Sequence, residues 1–376
     1  MSTFDLAAKI VTTQQKAWVV HAGIAQRHSG EFLRSGVIFL ETPDLDLNGV
    51  KLDNRQDVRR ALRRSLALDK HYHTTGSTKP SIILGDYDGD PFDDTSLTAL
   101  AGGVARMFGK IAEGDVVMSP GIIRGAEFNT PVIHFGEVVT PFDSDDVFSG
   151  NHRTSRSVPV RRVNWLSAVP RKEISLHLER KINKPPALRE IAIDRETEEI
   201  LQHTYKSYVF ENTSSSLIEA SKYDGSDFIT LTNSQYLIAA LVAAHYAVTN
   251  DQVTGQIPDF DAFVREHFQK APVENIVVDF ASPGSWRLIG ASASMAAFVA
   301  LGVAIFTSDL DLKKLSIDLT VTNSVSAQGS AELATQENMK TFLRSIDHIN
   351  IKKLREQAQE GKLKIGLSSS VQQVAP

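Results

Sequence analysis

The sequence predicts an α+β protein in two parts, an amino-terminal β-barrel with flanking helices followed by a separate mixed α/β domain. Three observations carry this. A chain of 376 residues exceeds what one ordinary core supports and favours two domains. The stretch from Gly103 to Phe142 reads as a complete small β-unit. From Phe228 onward helical and strand patterns alternate, in a chain of ordinary globular composition, 42% hydrophobic and 23% charged. The expected division is a first domain over 1–185, a linker region over 186–222 and a second domain over 223–370.

Within the β-unit, Val116, Val117 and Met118 follow a turn at Glu113-Gly114-Asp115. Pro120-Gly121 should end that strand, and Pro131 to Val139 supplies a second apolar run interrupted by Gly136. A glycine inside a strand marks a bulge or a place where something approaches the backbone closely. Trp18 to Val20 and Gly36 to Leu40 read as short buried strands. Asp53 to Leu68 predicts a helix, with Val58, Leu62 and Leu66 on one face and Asp53 or Asn54 placed to cap it. A second helix, Leu97 to Phe108, leads into the β-unit.

Pro185-Pro186 breaks the chain, Ala187 to Leu201 reads as a strand and a short helix, and Phe210 to Ser216 has the composition of a linker. The second domain opens at Phe228 to Leu231, with a helix beginning near Asn233 or Ser234. Ile276 to Phe280 is a short strand. Leu288 to Ser308 is a run of 21 uncharged residues, long enough to span a bilayer, yet its first part is only weakly apolar. A buried helix over Ser294 to Phe306 is the preferred reading, and membrane contact is not expected. Leu315 to Val321 alternates as a half-buried strand, Ala331 to Ser345 and Ile351 to Gln359 are helices, Gly361 is a helix stop, and the tail from Ser368 is expected to be disordered.

Composition excludes some chemistry outright. There is no cysteine, hence no disulfide, thiolate nucleophile or cysteine-ligated metal. The opening residues lack the pattern of a signal peptide, which points to the cytoplasm. The net charge of -5 is unevenly spread: residues 1–185 hold 24 Lys plus Arg against 22 Asp plus Glu, and the remainder 16 against 23. Nucleic acid, if bound, belongs to the first half. Arg59 with Arg63, and Arg60 with Arg64, form a basic stripe on the first helix, read either as phosphate contacts or as a solvated face. Between Asn151 and Lys184 nine basic residues, among them Arg153, Arg156, Arg161 and Arg162, stand against two acids. Val158 to Trp165 alternates like a strand with Arg161 and Trp165 on one face, able to contact phosphate and stack on a base, or to close the core. His71-Tyr72-His73 is read as an extended segment with no metal site, and Asp86-Tyr87-Asp88-Gly89-Asp90 as a solvated acidic turn, because Pro91 and Leu97 break the calcium-loop pattern.

Four motifs occur in order: Trp-Val-Val-x-Ala-Gly from Trp18, then Phe108 followed by Gly114-Asp115-Val116-Val117, then Gly136-Glu137-Val138, then Val163-x-Trp165-Leu166-x-x-Val169-Pro170-Arg171. This order resembles the amino-terminal module of Mrr-type restriction proteins, a small PUA-like or EVE-like β-barrel, over the first half of the chain only. The resemblance implies a nucleic-acid-binding sensor, with DNA as partner, of a prokaryotic restriction or antiviral defence system. It also implies a base held where the first strand meets the barrel loops. That places Trp18, His21 and Gly23 on one wall and Trp165 on another, although an apolar strand equally suits a tryptophan that fills the core. The second half would then be an effector or oligomerisation module.

A restriction endonuclease is the competing reading. It requires an Asp at one strand end and an acid-x-Lys on the next, holding Mg²⁺ and orienting a water. The candidates are Asp279 with Asp311 and Lys313, and Mg²⁺ would be a cofactor only in that case. The charges of DLDLKKL follow an apolar helix instead of lying in a strand, which argues against the site. Other catalytic signatures are absent. A membrane-acting effector is a third alternative.

Overall fold

The computed structural model describes residues 2–74, 78–89, 95–125, 129–149, 156–253, 255–257, 259–280, 283–326 and 330–374. It is mixed α+β and contains a curled half-barrel sheet. Its contacts divide the chain into two compact units, residues 14–204 and residues 1–13 with 205–376. This differs from the expected division at both ends. The opening strands β1 (Ser2–Asp5) and β2 (Lys9–Val11) pair in parallel with strands of the second unit, and the first unit runs past residue 185 to residue 204.

The first unit comprises β3 (Lys16–Val20), α1 (Ser29–Ser35), β4 (Val37–Ile38), α2 (Arg55–His73), α3 (Thr95–Gly109), β5 (Val116–Arg124), β6 (Asn129–Val138), β7 (Val147–Phe148), β8 (Val158–Pro159), β9 (Arg161–Pro170), α4 (Leu176–Asn183), β10 (Leu188–Ala192) and α5 (Glu199–Thr204). Its six-stranded sheet has the order β10-β3-β5-β6-β9-β4, parallel only where Ala17 to Val19 of β3 face Val116 to Met118 of β5. Pro120-Gly121 does not end β5. Beyond Met118 the strand is bonded to β6 alone, and an edge tolerates a proline that lacks an N–H. Gly136 does mark a bulge: the β6–β9 register shifts between Phe135 and Gly136, and a methyl there would lie 2.8 Å from the Asn164 carbonyl oxygen.

Asn54 caps α2, its side-chain oxygen accepting from the Gln56 amide at 2.9 Å. The helix runs on through His71-Tyr72-His73, so these residues are helical and not extended. Val58 and Leu62 are fully buried, whereas Leu66 is half exposed, because the stripe rotates off the core as the helix lengthens. One core joins Trp18 and Val117 of the sheet to Val58 and Leu62 of α2 and to Val104 and Met107 of α3. Each such large side chain contributes about 1.5–3 kcal/mol on burial.

The second unit continues with β11 (Ser207–Phe210), β12 (Thr213–Ala220), α6 (Phe228–Thr249), α7 (Phe260–Lys270), β13 (Val273–Asp279), β14 (Gly284–Gly290), α8 (Met295–Phe306), α9 (Leu312–Asp318), β15 (Leu319–Thr322), α10 (Ser330–Ser345), α11 (His348–Ile365), β16 (Leu367–Ser369) and β17 (Gln372–Val374). Its main sheet has the order β13-β14-β12-β11-β2, with β16 also on β12, and a smaller sheet has the order β15-β1-β17.

Four expectations are corrected here. The supposed linker Phe210 to Ser216 is the β11–β12 hairpin. Its serines are buried and satisfied: Ser216 bonds Ser207 at 2.8 Å, and Ser214 donates to the Ser292 carbonyl at 2.6 Å. Small hydroxyls paired in this way give a central strand the composition of a linker. Leu315 belongs to α9, and only Leu319 to Thr322 form a strand. Helix α11 continues through Gly361 to Ile365, and Gly366, in the left-handed region, ends it. The tail from Ser368 pairs with β12 and β1 instead of being disordered.

The uncharged run resolves into β14 and α8, the expected buried helix with Ser294 at its cap. Among the described residues no helix is long and apolar enough to cross a membrane. His245 of α6 is 2% exposed and meets the Ser294 hydroxyl at 3.0 Å. Burial lowers its pKa from 6.5 to about 4. The folded chain therefore resists a proton that the unfolded chain accepts, and stability is lost as pH falls through that window. We expect a contribution of about 3 kcal/mol to disappear between pH 7 and pH 4. Urea unfolding of His245→Gln should show a flatter pH profile than the unsubstituted protein, and parallel profiles would contradict the assignment.

Candidate functional site

Most of the residues expected to contact nucleic acid are engaged inside the first unit. Trp18 is fully buried, and its indole N–H donates to the Asp115 carboxylate at 2.8 Å, so it presents no face to a ligand. Arg161, expected to contact phosphate, is 2% exposed and donates to the Thr140 carbonyl at 3.0 Å. Burial lowers its pKa, against the attraction of Asp115 and Glu113. Arg162 is held by both oxygens of Asp146. Arg156 pairs with Asp69 at 3.1 Å and Asp44 at 3.6 Å and lies 4.0 Å over the Tyr72 ring. Arg153 lies outside the described residues.

The basic stripe of α2 is likewise matched by acids and carbonyls. Arg59 is buried against Thr98, Arg63 donates to the Tyr87 carbonyl at 3.1 Å, Arg60 pairs with Asp57 and Asp88, and Arg64 with Asp46. Asp88 of the acidic turn is thus an ion-pair partner, while Asp90 lies outside the described residues. In the second unit, Asp279 sits exposed at the end of β13. Asp311 caps α9 by accepting from the Lys313 amide at 2.9 Å, so the Asp-x-Lys order belongs to a helix start and not to a strand. Among the described residues no three His, Asp or Glu side chains are grouped to hold a metal ion.

His21, Gly23 and Trp165 mark a different place. After β3 the chain turns through Gly23, Ala25 and Gln26, all with positive φ (75°, 54° and 58°), before α1. Only glycine suits the first of these. A methyl on Gly23 would lie 2.9 Å from the His28 ring in a backbone region that side chains avoid. This loop lines a cavity of about 500 Å³, with Gln26, Arg27, Ser29 and Arg34 on one side and Ile122 and Arg124 of β5 on the other. Glu31, 8% exposed, also lines it. Arg27 pairs with Glu41.

At Gly121 the cavity wall meets the sheet. A methyl on Gly121 would sit 2.6 Å from the His134 ring and 3.3 Å from the Ser29 hydroxyl. His134 stands edge-on to Trp165, with ring centres 6.3 Å apart, and the Trp165 indole N–H donates to the Phe32 carbonyl at 2.8 Å. Three polar atoms here are buried without a hydrogen bond: the Gln26 side-chain oxygen, the Ser119 hydroxyl and Nε2 of His134. Burial lowers the His134 pKa. Burial also lowers that of His21, with Arg171 and Arg189 acting in the same direction against a backbone hydrogen bond from Ile182. Neutral imidazoles, an amide oxygen and a hydroxyl make a surface for hydrogen-bonding an uncharged polar group. Sequence reasoning missed Gln26, Ser29, Ser119, Gly121 and His134. The one available signal was a glycine inside an apolar strand, read as a strand end.

Compared with known proteins, the chain matches no family profile, no curated protein and no solved structure.

The placement of Trp18 is directly testable. Trp18→Ala should lower stability by about 3–5 kcal/mol and unfold the first unit, because it empties a core site and leaves Asp115 short of a donor. A near-native melting temperature for this variant would show that Trp18 is not structural.

Proposed function

We propose that the first unit is a nucleic-acid recognition module that takes a single extruded base into the cavity beside Gln26, acting as the sensor of a prokaryotic restriction or antiviral defence system. The second unit is its effector or oligomerisation module. The observation that carries this reading is the Gln26 side-chain oxygen, buried without a hydrogen bond in a cavity whose other lining includes Arg34 and Arg124. A base taken from its stack loses a few kcal/mol, which hydrogen bonds to its edge and an apolar contact such as Ile122 can return. A cavity of about 500 Å³ has room for a base, given that benzene fills about 150 Å³. The curled half-barrel sheet and the four collinear motifs support a PUA-like barrel, and the loop after Trp-Val-Val-x-Ala-Gly supplies the cavity wall.

The test uses the full chain and DNA carrying one 2-aminopurine, whose emission rises on extrusion. Binding should weaken with salt at a slope of about -0.9 per phosphate neutralised. Arg34→Glu and Arg124→Glu should each flatten that slope by about one phosphate, and Gln26→Ala should abolish the emission rise while leaving the salt slope intact. Binding that is indifferent to salt and to all three substitutions would end the proposal.

A further inference from the structure

From the second unit we infer a binding site for a small uncharged molecule with an apolar body and one hydrogen-bond acceptor, in the cavity between the edge strand β13 and helices α6 and α7. The cavity measures about 240 Å³ and is walled by Ile238 and Ala239 of α6, Phe268 of α7, Ile276 and Val278 of β13 and Trp286 of β14. Half-buried Gln235 completes the lining, which contains no charged residue, so a charged ligand would lose its hydration with nothing in return. Ala239, Phe268, Ile276 and Val278 are themselves only partly buried, which opens the cavity to the surface along β13.

Trp286 supplies the specificity. It is 1% exposed and fixed between Ile218 and Val278 in the sheet, yet its indole N–H makes no hydrogen bond. Buried indole donors ordinarily find an acceptor, and an unpaired one in carbon surroundings is costly. An acceptor on a ligand seated against the apolar wall removes that penalty, whereas a pure hydrocarbon does not. The volume exceeds the roughly 150 Å³ that accommodates benzene, which selects a substituted ring or a short branched chain. This site is independent of the base-binding reading of the first unit.

The experiment compares acetophenone with α-methylstyrene, in which a CH2 replaces the carbonyl oxygen. The chain contains three tryptophans, so its ¹H–¹⁵N spectrum shows three indole signals, and Trp286→Phe identifies the relevant one. Acetophenone should move the Trp286 signal and bind roughly tenfold more tightly than α-methylstyrene. Trp286→Phe should make the two probes equal, and Ala239→Leu, which narrows the cavity, should weaken both. Failure of acetophenone to shift the Trp286 signal at millimolar concentration, or equal affinity of the two probes for the unsubstituted protein, overturns the inference. That comparison needs no variant and so stands even if Trp286→Phe does not fold.

Discussion

The carboxylate of Asp115, 2% exposed, receives hydrogen bonds from the Trp18 indole at 2.8 Å, the Lys16 amide at 3.0 Å and the Ala112 amide at 2.9 Å, and the organisation of the first unit depends on that convergence. A buried carboxylate is costly unless several donors compensate it. Here the donors come from the turn before β5 and from two residues of β3, a strand almost a hundred residues earlier. The parallel pairing of β3 with β5 therefore forms together with the turn and the indole contact. Arg161 on β9 adds a buried cation that feels the same charge. Carboxylate, indole and guanidinium link the sheet from β3 to β9, which leaves none of the three to a ligand.

The same accounting explains why basic residues clustered in sequence do not make a basic surface. Arg60, Arg64, Arg156 and Arg162 meet Asp57, Asp88, Asp46, Asp44, Asp69 and Asp146, acids drawn from separate stretches between residues 44 and 146. Exposed pairs of this kind contribute about 0–1 kcal/mol each to stability. Their larger effect is on the field, because each removes a positive charge that phosphate would otherwise meet. What survives as an interface is the small group of arginines around the cavity after β3.

Elements with strong local patterning were legible in the sequence. The Val116 and Pro131 strands, the helix capped by Asn54, the α8 helix and the Gly136 bulge all rest on short-range periodicity or on a residue with one structural use. Features set by distant partners were not. Nothing local distinguishes the serines of β12 from a linker, since their burial depends on Ser207 and on the Ser292 carbonyl. Residues 2–11 carry no sign that they pair with strands beyond residue 200. The candidate site was half visible: Gly23 and Trp165 border it, but Trp18 is drawn into the core by Asp115. Gln26 and His134 come together only because β5 continues past Pro120.

Backbone strain shows why the loop, and not the sheet, is suited to recognition. Ala25 and Gln26 hold left-handed conformations that cost about 1–2 kcal/mol per residue. They persist because neighbouring backbone bonds fix the loop: His28 N–H to the Ala22 carbonyl at 3.0 Å and Gln26 N–H to the Gly23 carbonyl at 3.1 Å. A right-handed turn here would relieve the strain but redirect the Gln26 side chain, whose oxygen is the unpaired acceptor lining the cavity. The fold thus maintains two unfavourable features at one position, a strained residue and an unsatisfied polar atom. Such coincidences concentrate where a ligand supplies the missing interaction. The strands behind the loop, with their hydrogen bonds already made, have little left to offer a base.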